Sequence, residues 1–187
     1  MPSPIAHSLA GLIVYRACGQ QAKKLAHPAG VALVAVVAAN LPDADFLPGL
    51  LSGDVNRFHH ALTHSMGFLV ASMLGTFLLT RRLRSPAKPW TTLVGFAVAS
   101  HLLLDFFTVD TRSPYGIPLL WPLSNRVFLA PHPFFLDIQR SANPALFLPS
   151  LFSSHNLTAA CREILFVGGV LLLIEFVRKV VTGFPRD

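Results

Sequence analysis

Residues 90–107 read WTTLVGFAVASHLLLDFF, an apolar run whose last turns carry His101 and Asp105. The run approaches the roughly 17–25 residues that a helix needs to cross a bilayer. Because His101 and Asp105 are four residues apart, a helix projects both side chains from one face. Ionisable side chains are costly inside a membrane, which makes them candidates for function. The run therefore predicts a membrane helix with a functional site near one end.

Four further apolar segments accompany this run, at about 5–22, 25–41, 61–80 and 164–181. The composition agrees with a membrane environment, since 52% of the 187 residues are hydrophobic and 13% are charged, against about 25% charged in a soluble domain. The alternative, buried helices of a soluble all-α domain, is disfavoured by the segment lengths. We predict an all-α fold, a polytopic membrane helix bundle of about five spanning helices.

Basic residues predict how this bundle is oriented. They cluster in the loops after the first and third segments and after the fifth: Lys23, Lys24, Arg81, Arg82, Arg84, Lys88, Arg178, Lys179 and Arg186. The positive-inside rule assigns that side to the cytoplasm, which leaves the N-terminus outside. The same pattern argues against a nucleic-acid partner despite the net charge of +6, because the charges end apolar runs and form no continuous basic stripe.

The longest connection, residues 108–163, is rich in proline and aromatic residues, as in Pro131-His132-Pro133-Phe134-Phe135. Proline at this density interrupts regular elements, while the aromatic content is too high for a disordered linker. We predict an extracytoplasmic cap or lid between the fourth and fifth helices. The length suits a single membrane-embedded domain over 1–187 with the cap as part of it.

Histidines and aspartates recur at the segment ends that this topology places outside. The candidate metal ligands are His7, Asp43, Asp45, His59, His64, His101 and Asp105. Mixed imidazole and carboxylate ligands suit zinc, manganese or iron, whereas calcium requires oxygen ligands alone. Because the set exceeds what one tetrahedral ion needs, we expect one or two divalent ions, zinc first and manganese as the other possibility.

These motifs also carry a family resemblance. His7, Leu41-Pro42-Asp43-Ala44-Asp45, Thr63-His64-Ser65 preceded by His59, and His101-Leu102-Leu103-Leu104-Asp105 followed by Thr108 stand in the same order, completed by Tyr115-Gly116-Ile117 and Leu120-Trp121-Pro122. Over about residues 1–130 the chain resembles the YdjM-like family of membrane-bound, predicted metal-dependent hydrolases. That family has Arg and Gly after the histidine that aligns with His59, where this chain has His60 and Ala61. Either His59 or His60 can therefore be the ligand.

The pattern and the resemblance together lead to an expected function. We expect a metal-dependent hydrolase at the outer face of a bacterial inner membrane, acting on a small-molecule or lipid-linked phosphoester in contact with membrane lipid. Catalytic roles fall to Asp43, Asp45 and Asp105, and Arg112 or Arg126 would orient an anionic substrate. Two alternatives stay open: a metal or proton transporter, whose ligands would be distributed through the bilayer, and a non-catalytic scaffold with a structural metal site.

Overall fold

The computed structural model describes residues 1–22, 26–54, 56–111 and 115–182. Within these ranges the chain is helical, apart from turns and two isolated β-bridges in or beside the cap. The α-helices are α1 (Pro4–Ala22), α2 (Pro28–Asn40), α3 (Phe46–Leu51), α4 (Met66–Arg82), α5 (Ala87–Phe106), α6 (Pro144–Ser150), α7 (Ser154–Glu163) and α8 (Gly169–Thr182). Two 3-10 turns, Leu41–Asp45 and Leu62–His64, precede α3 and α4, and a π-helical turn, Ile164–Gly168, joins α7 to α8. The predicted all-α class is confirmed.

Helix α5 lies at the centre of the bundle and packs against α1, α2 and α4. Its side chains Leu93, Ala97 and Val98 are fully buried, as are Val31 and Ala35 of α2. Small residues let helix backbones approach closely. The last two turns of α5 are consequently packed on several sides, which fixes the positions of His101 and Asp105.

Serine side chains set two helix starts that differ from the predicted segments. Helix α4 begins at Met66 and not near residue 61, because Ser65 is extended and its hydroxyl accepts a hydrogen bond from the Phe68 N–H. The last helical stretch begins at Ser154 and not at residue 164, because the Ser153 hydroxyl accepts from the Asn156 N–H. Serine is a favoured N-cap since it satisfies an otherwise unpaired N–H of the first turn.

One helical stretch in the described ranges, Pro28–Leu51, is long and apolar enough to cross a membrane by length and composition. It covers 24 residues at a mean hydropathy of 1.5 and combines α2, the first 3-10 turn and α3. The predicted bundle of about five spanning helices is thus not confirmed by this criterion.

The close approach of α1 to α2 depends on Gly11. A β-carbon at this position would lie 2.8 Å from the carbonyl oxygen of Ala35, closer than such contacts normally come. Gly11 is four residues after His7, so it lies on the same side of α1. The missing side chain at Gly11 therefore helps to bring His7 close to the end of α2.

We expect Gly11→Ala to destabilise the fold by about 1–3 kcal/mol, because the added methyl group collides with backbone and not with a movable side chain. Gly30→Ala is the matched control, since a β-carbon there meets nothing within 4 Å and alanine favours a helix by about 0.5–1 kcal/mol. Thermal unfolding in detergent should show a lower Tm for the first variant and an equal or higher Tm for the second. Equal Tm values for the two variants would contradict the close-packing argument.

Residues 108–111 and 115–163 cover the end of the bundle where α4 begins and α5 ends. Backbone hydrogen bonds join them to that end. The N–H of Ala130 donates to Phe106 O, and the N–H groups of Phe134 and Phe135 donate to Phe107 O. At the start of α4, the N–H of Met66 donates to Leu119 O and that of Gly67 to Trp121 O. The region contains α6 and α7 as well as turns. The N-terminus of α1 and the C-terminus of α2 contribute to the site at this same end.

Candidate metal centre

Five buried or nearly buried side chains from four parts of the chain meet beneath the cap. His7 lies at the end of the first turn of α1, Asp43 in the 3-10 turn after α2, and His64 in the 3-10 turn before α4. His101 and Asp105 lie one turn apart at the end of α5. The three imidazoles are fully buried, and Asp105 is 4% exposed. The structure thus brings together residues that are far apart in the chain.

Four of these side chains present donor atoms at the spacing of a metal-ligand set. Asp105 Oδ2 lies 3.1 Å from His101 Nε2 and 3.3 Å from His64 Nε2, and the two Nε2 atoms are 3.2 Å apart. Asp43 Oδ1 is 3.5 Å from His64 Nε2 and 3.7 Å from His101 Nε2. Ligands bound about 2.0–2.1 Å from a tetrahedral ion are separated by about 3.3–3.4 Å. The donor atoms therefore fit a zinc-like cation.

Hydrogen bonds at the far side of each ring fix the lone pairs of His64 and His101. The Nδ1–H of His101 donates to the carbonyl oxygen of Ala39 at 2.7 Å. The Nδ1 of His64 lies 3.2 Å from Asp45 Oδ2 and 3.0 Å from the hydroxyl of Thr63. Because that hydroxyl donates its hydrogen to Asp45, Nδ1 of His64 must also be the donor. With a cation bound, both rings would be neutral and would direct their Nε2 lone pairs at the shared ion.

His7 meets the other oxygens of the same two carboxylates. Its Nε2 is 3.6 Å from Asp105 Oδ1 and 3.9 Å from Asp43 Oδ2, and its ring stacks on that of His101 with centroids 3.8 Å apart. Within the described residues, both oxygens of Asp43 and Asp105 and both ring nitrogens of His7 are buried without a hydrogen-bond partner. Buried polar groups are normally paired, so this cluster fits bound cations on both sides of the carboxylates.

The carboxylates of the cluster stabilise positive charge at His64. Burial alone would lower the pKa of His64, but the surrounding carboxylates of Asp43, Asp45 and Asp105 raise it to about 10. A proton and a metal ion compete for the same lone pair, so metal binding at neutral pH should release protons. The site thus binds positive charge, either as a proton on His64 or as a metal ion.

Asp45 and His59 form a second layer beside this centre. Asp45 Oδ1 lies 3.0 Å from His59 Nδ1, and its other oxygen accepts from Thr63 and faces His64 Nδ1. Burial lowers the pKa of His59 well below its usual value, which keeps the ring neutral and able to bind a metal. Asp43, Asp45 and His59 also have ligand atoms within 4.8 Å of one another. The predicted ligand roles of Asp45 and His59 stay predictions, and Asp45 additionally orients His64.

His60, the alternative to His59, adopts an unusual backbone conformation. Its φ of 58° lies in the left-handed region, which non-glycine residues seldom occupy and which is concentrated at functional sites. The Nδ1 of His60 pairs with Asp110 Oδ2 at 3.2 Å, and its ligand atoms lie within 4.8 Å of those of His59 and His64. Both histidines thus stay candidates. Asp110 was not among the predicted site residues, although the topology placed it on the same side of the membrane.

The substrate-binding roles of Arg112 and Arg126 stay predictions. Arg112 lies outside the described residues, and Arg126 is exposed in an irregular stretch of the cap. A third arginine, Arg140, is buried close to the centre. Its Nε donates to Asn56 Oδ1 at 3.0 Å, and its guanidinium stacks on the ring of Phe46 at 4.7 Å. Sequence gave no signal that separates Arg140 from the other arginines of the outer side.

Comparison with known families adds to the geometry. The family model described as YdjM inner membrane protein matches residues 1–181. The chain belongs to the YdjM inner membrane protein family. The resemblance seen in the motifs is confirmed, and the YdjM match extends it through the cap and α8. Membership in the YdjM family makes this chain a membrane protein. No curated protein and no solved structure matches the chain.

Proposed function

We propose that this chain is a metal-dependent hydrolase of the inner membrane that acts on a phosphoester. The observation that carries the proposal is the convergence of His7, Asp43, His64, His101 and Asp105 at spacings of 3.1–3.9 Å. Buried imidazole and carboxylate donors in this number favour zinc or manganese. Membership of a membrane family and the end-of-bundle position of the cluster support action near the interface.

The arrangement of the carboxylate oxygens and imidazole nitrogens supports two bound ions better than one. Asp43 and Asp105 each direct one oxygen toward the His64–His101 pair and the other toward His7. When bound, the ions would supply Lewis-acid stabilisation of the oxygens that gain negative charge during a phosphoryl displacement. The rest of the chemistry falls to residues of the chain.

Asp43 is the carboxylate best placed to handle a proton. It borders an open cavity next to the cluster as well as contacting His7 and His64, so of the ligand carboxylates it lies nearest to an incoming substrate. In hydrolysis, an oxygen of water bonds to phosphorus, the bond from phosphorus to the leaving oxygen breaks, and that oxygen takes up a proton. Asp43 would accept the proton of the water, while Asp105 holds the cations and Asp45 orients His64.

We extend the proposal to a multi-pass arrangement with the site facing outside. On α4, Val70, Leu74 and Leu78 recur every fourth residue and are each more than half exposed. On α8, Leu172 and Phe176 repeat this spacing with exposures of 72% and 64%. Continuous apolar stripes of this kind are unfavourable in water and suit contact with lipid chains. With the basic loops inside, the cap and the metal centre lie on the outer side.

The position of the cluster favours hydrolysis over transport. A transporter would need ionisable groups along a path through the bilayer. Within the described residues, the His and Asp groups able to hold a metal all belong to the centre beneath the cap. The ion pair of Arg16 with Glu175 lies apart from them.

The experiment is metal analysis and phosphoesterase assay of the full-length protein purified in mild detergent. We expect co-purified zinc or manganese, and hydrolysis of bis(4-nitrophenyl) phosphate or 4-nitrophenyl phosphate that falls at least about 100-fold on chelation and returns when metal is added. His101→Ala should remove metal and activity. His132→Ala is the control, because His132 is an exposed cap histidine outside the cluster.

Two results would contradict the proposal. One is folded protein that binds no divalent metal under any loading condition. The other is metal-loaded protein without phosphoesterase activity that instead takes labelled metal into proteoliposomes, with uptake abolished by His101→Ala. The second result would establish the transporter alternative.

A further inference from the structure

A cavity of about 560 Å³ adjoins the metal centre on the side of α2, α3 and α6. Its volume falls within the range of about 300–1,000 Å³ that is usual for small-molecule sites. Asp43 lines the cavity and belongs to the metal centre at the same time. A molecule in the cavity would therefore lie beside the metal centre.

The cavity wall is mostly apolar. Val37, Leu47, Phe147 and Leu151 are among the residues that form it, and Phe147 and Leu151 come from the predicted cap region. A sugar phosphate or nucleotide would find few hydrogen-bond partners for its hydroxyl and base groups on such a wall. An alkyl chain would instead gain from burial there.

The cavity also contains a positively charged side chain that could bind an anion. Arg140 lines it and is held in place by its hydrogen bonds to Asn56 and to the carbonyl oxygen of Ile138 and by stacking on Phe46. A guanidinium with restricted freedom is well suited to phosphate, since its planar N–H groups match phosphate oxygens. Arg140 thus offers a fixed positive charge beside the apolar wall.

The outer edge of the cavity is continuous with an apolar helix face. Val37 of α2 and Leu47 of α3 line the cavity and are 55% and 62% exposed. Both lie in Pro28–Leu51, the stretch whose length and hydropathy suit a membrane. A chain could therefore enter from the surrounding lipid without crossing water.

We propose that this cavity holds the alkyl chain of an anionic lipid phosphoester, with its phosphate beside Arg140 and Asp43. The inference rests on the proposed hydrolase function and names the substrate class for that site. It also assigns to Arg140 the anion-binding role that sequence reasoning gave to Arg112 or Arg126. Lipid-linked substrates should then bind better than water-soluble phosphoesters with the same reacting group.

The test is photolabelling of the metal-loaded full chain in phosphatidylcholine nanodiscs. The probe is hexadecylphosphonate with a diazirine at the chain end, which has no ester bond to hydrolyse, so labelling does not depend on turnover. We expect peptide mapping to place the label on α3 and α6. Val37→Trp should lower this labelling about tenfold, because an indole ring takes up the space of the chain. Leu33→Trp is the matched control, as Leu33 is exposed on the same face of α2 one turn earlier and does not line the cavity.

Arg140 is tested with two probes. Arg140→Gln should lower labelling by the phosphonate about tenfold, through loss of a charge-assisted contact, and leave labelling by a diazirine derivative of hexadecanol unchanged. If Arg140→Gln does not fold, as judged by lost metal binding, Arg140→Lys serves with the same pair of probes.

The outcomes separate this inference from the proposed function. Label spread over the exposed faces of α4 and α8, or equal labelling of Val37→Trp and Leu33→Trp, would overturn the inference even if a short-chain phosphoester is cleaved. Labelling confined to the cavity in a protein that cleaves no phosphoester would uphold lipid binding and contradict the hydrolase proposal instead.

Discussion

Replacing Asp105 with asparagine is expected to weaken divalent-metal binding by more than about 100-fold, beyond the 10–100-fold loss caused by outer-shell changes. Asp105 is fully enclosed, and its two oxygens face different histidines, with Oδ2 toward His64 and His101 and Oδ1 toward His7. Asparagine keeps the shape but removes the negative charge and one acceptor. Both halves of the centre should therefore fail together.

Metal content per chain and isothermal titration with zinc would measure this loss. Asp54→Asn is the matched control, because Asp54 is exposed and its carboxylate pairs with the N–H of Asn56 in a turn. If Asp105→Asn keeps one tightly bound ion, the bridging role of Asp105 is wrong. Full retention of metal would contradict the centre as a whole.

The second large effect is expected at Asp45, where the geometry supports two different roles. If Asp45 only orients the rings of His64 and His59, Asp45→Ala should weaken metal binding by about 10–100-fold, as outer-shell changes do. If Asp45 is itself a ligand, the loss should equal that of Asp105→Asn. We expect the smaller loss, because the Asp45 oxygens face Nδ1 of both histidines and the hydroxyl of Thr63.

Thr63→Val provides the companion measurement. It removes the hydroxyl that bonds both Asp45 and His64 while leaving every predicted ligand in place. A several-fold weakening of metal binding would support the orienting role, since the carboxylate would lose one of the contacts that position it. An unchanged affinity together with a complete loss in Asp45→Ala would establish Asp45 as a direct ligand.

The sequence predicted which His and Asp side chains come together better than it predicted the helix ends. His7, Asp43, His64, His101 and Asp105 occur at apolar segment ends, and alternating segment direction is enough to bring such ends together. Helix starts at Met66 and Ser154 depended on the hydroxyl groups of single serines. Local caps of this kind do not appear in a hydropathy pattern.

Contacts made by the cap were beyond prediction for a different reason. Asp110 reaches His60, and Arg140 reaches Asn56, through a region without a helical or strand-like repeat. Where no periodicity exists, spacing in the sequence gives no estimate of distance in space. The same limit applied to the cavity, whose walls come from α2, α3 and α6.

The candidate metal ligands come from both the first helix of the bundle and the central one, and this affects the order in which the site is assembled during synthesis. His7 leaves the ribosome long before His101 and Asp105, and chains grow at about 5–20 residues per second. The first imidazole is therefore made several seconds before α5, which packs against α1 and α4, can supply its partners. In the proposed centre, tight metal binding would consequently come late in biogenesis, and a nascent chain halted before residue 101 should bind metal more weakly than the full chain.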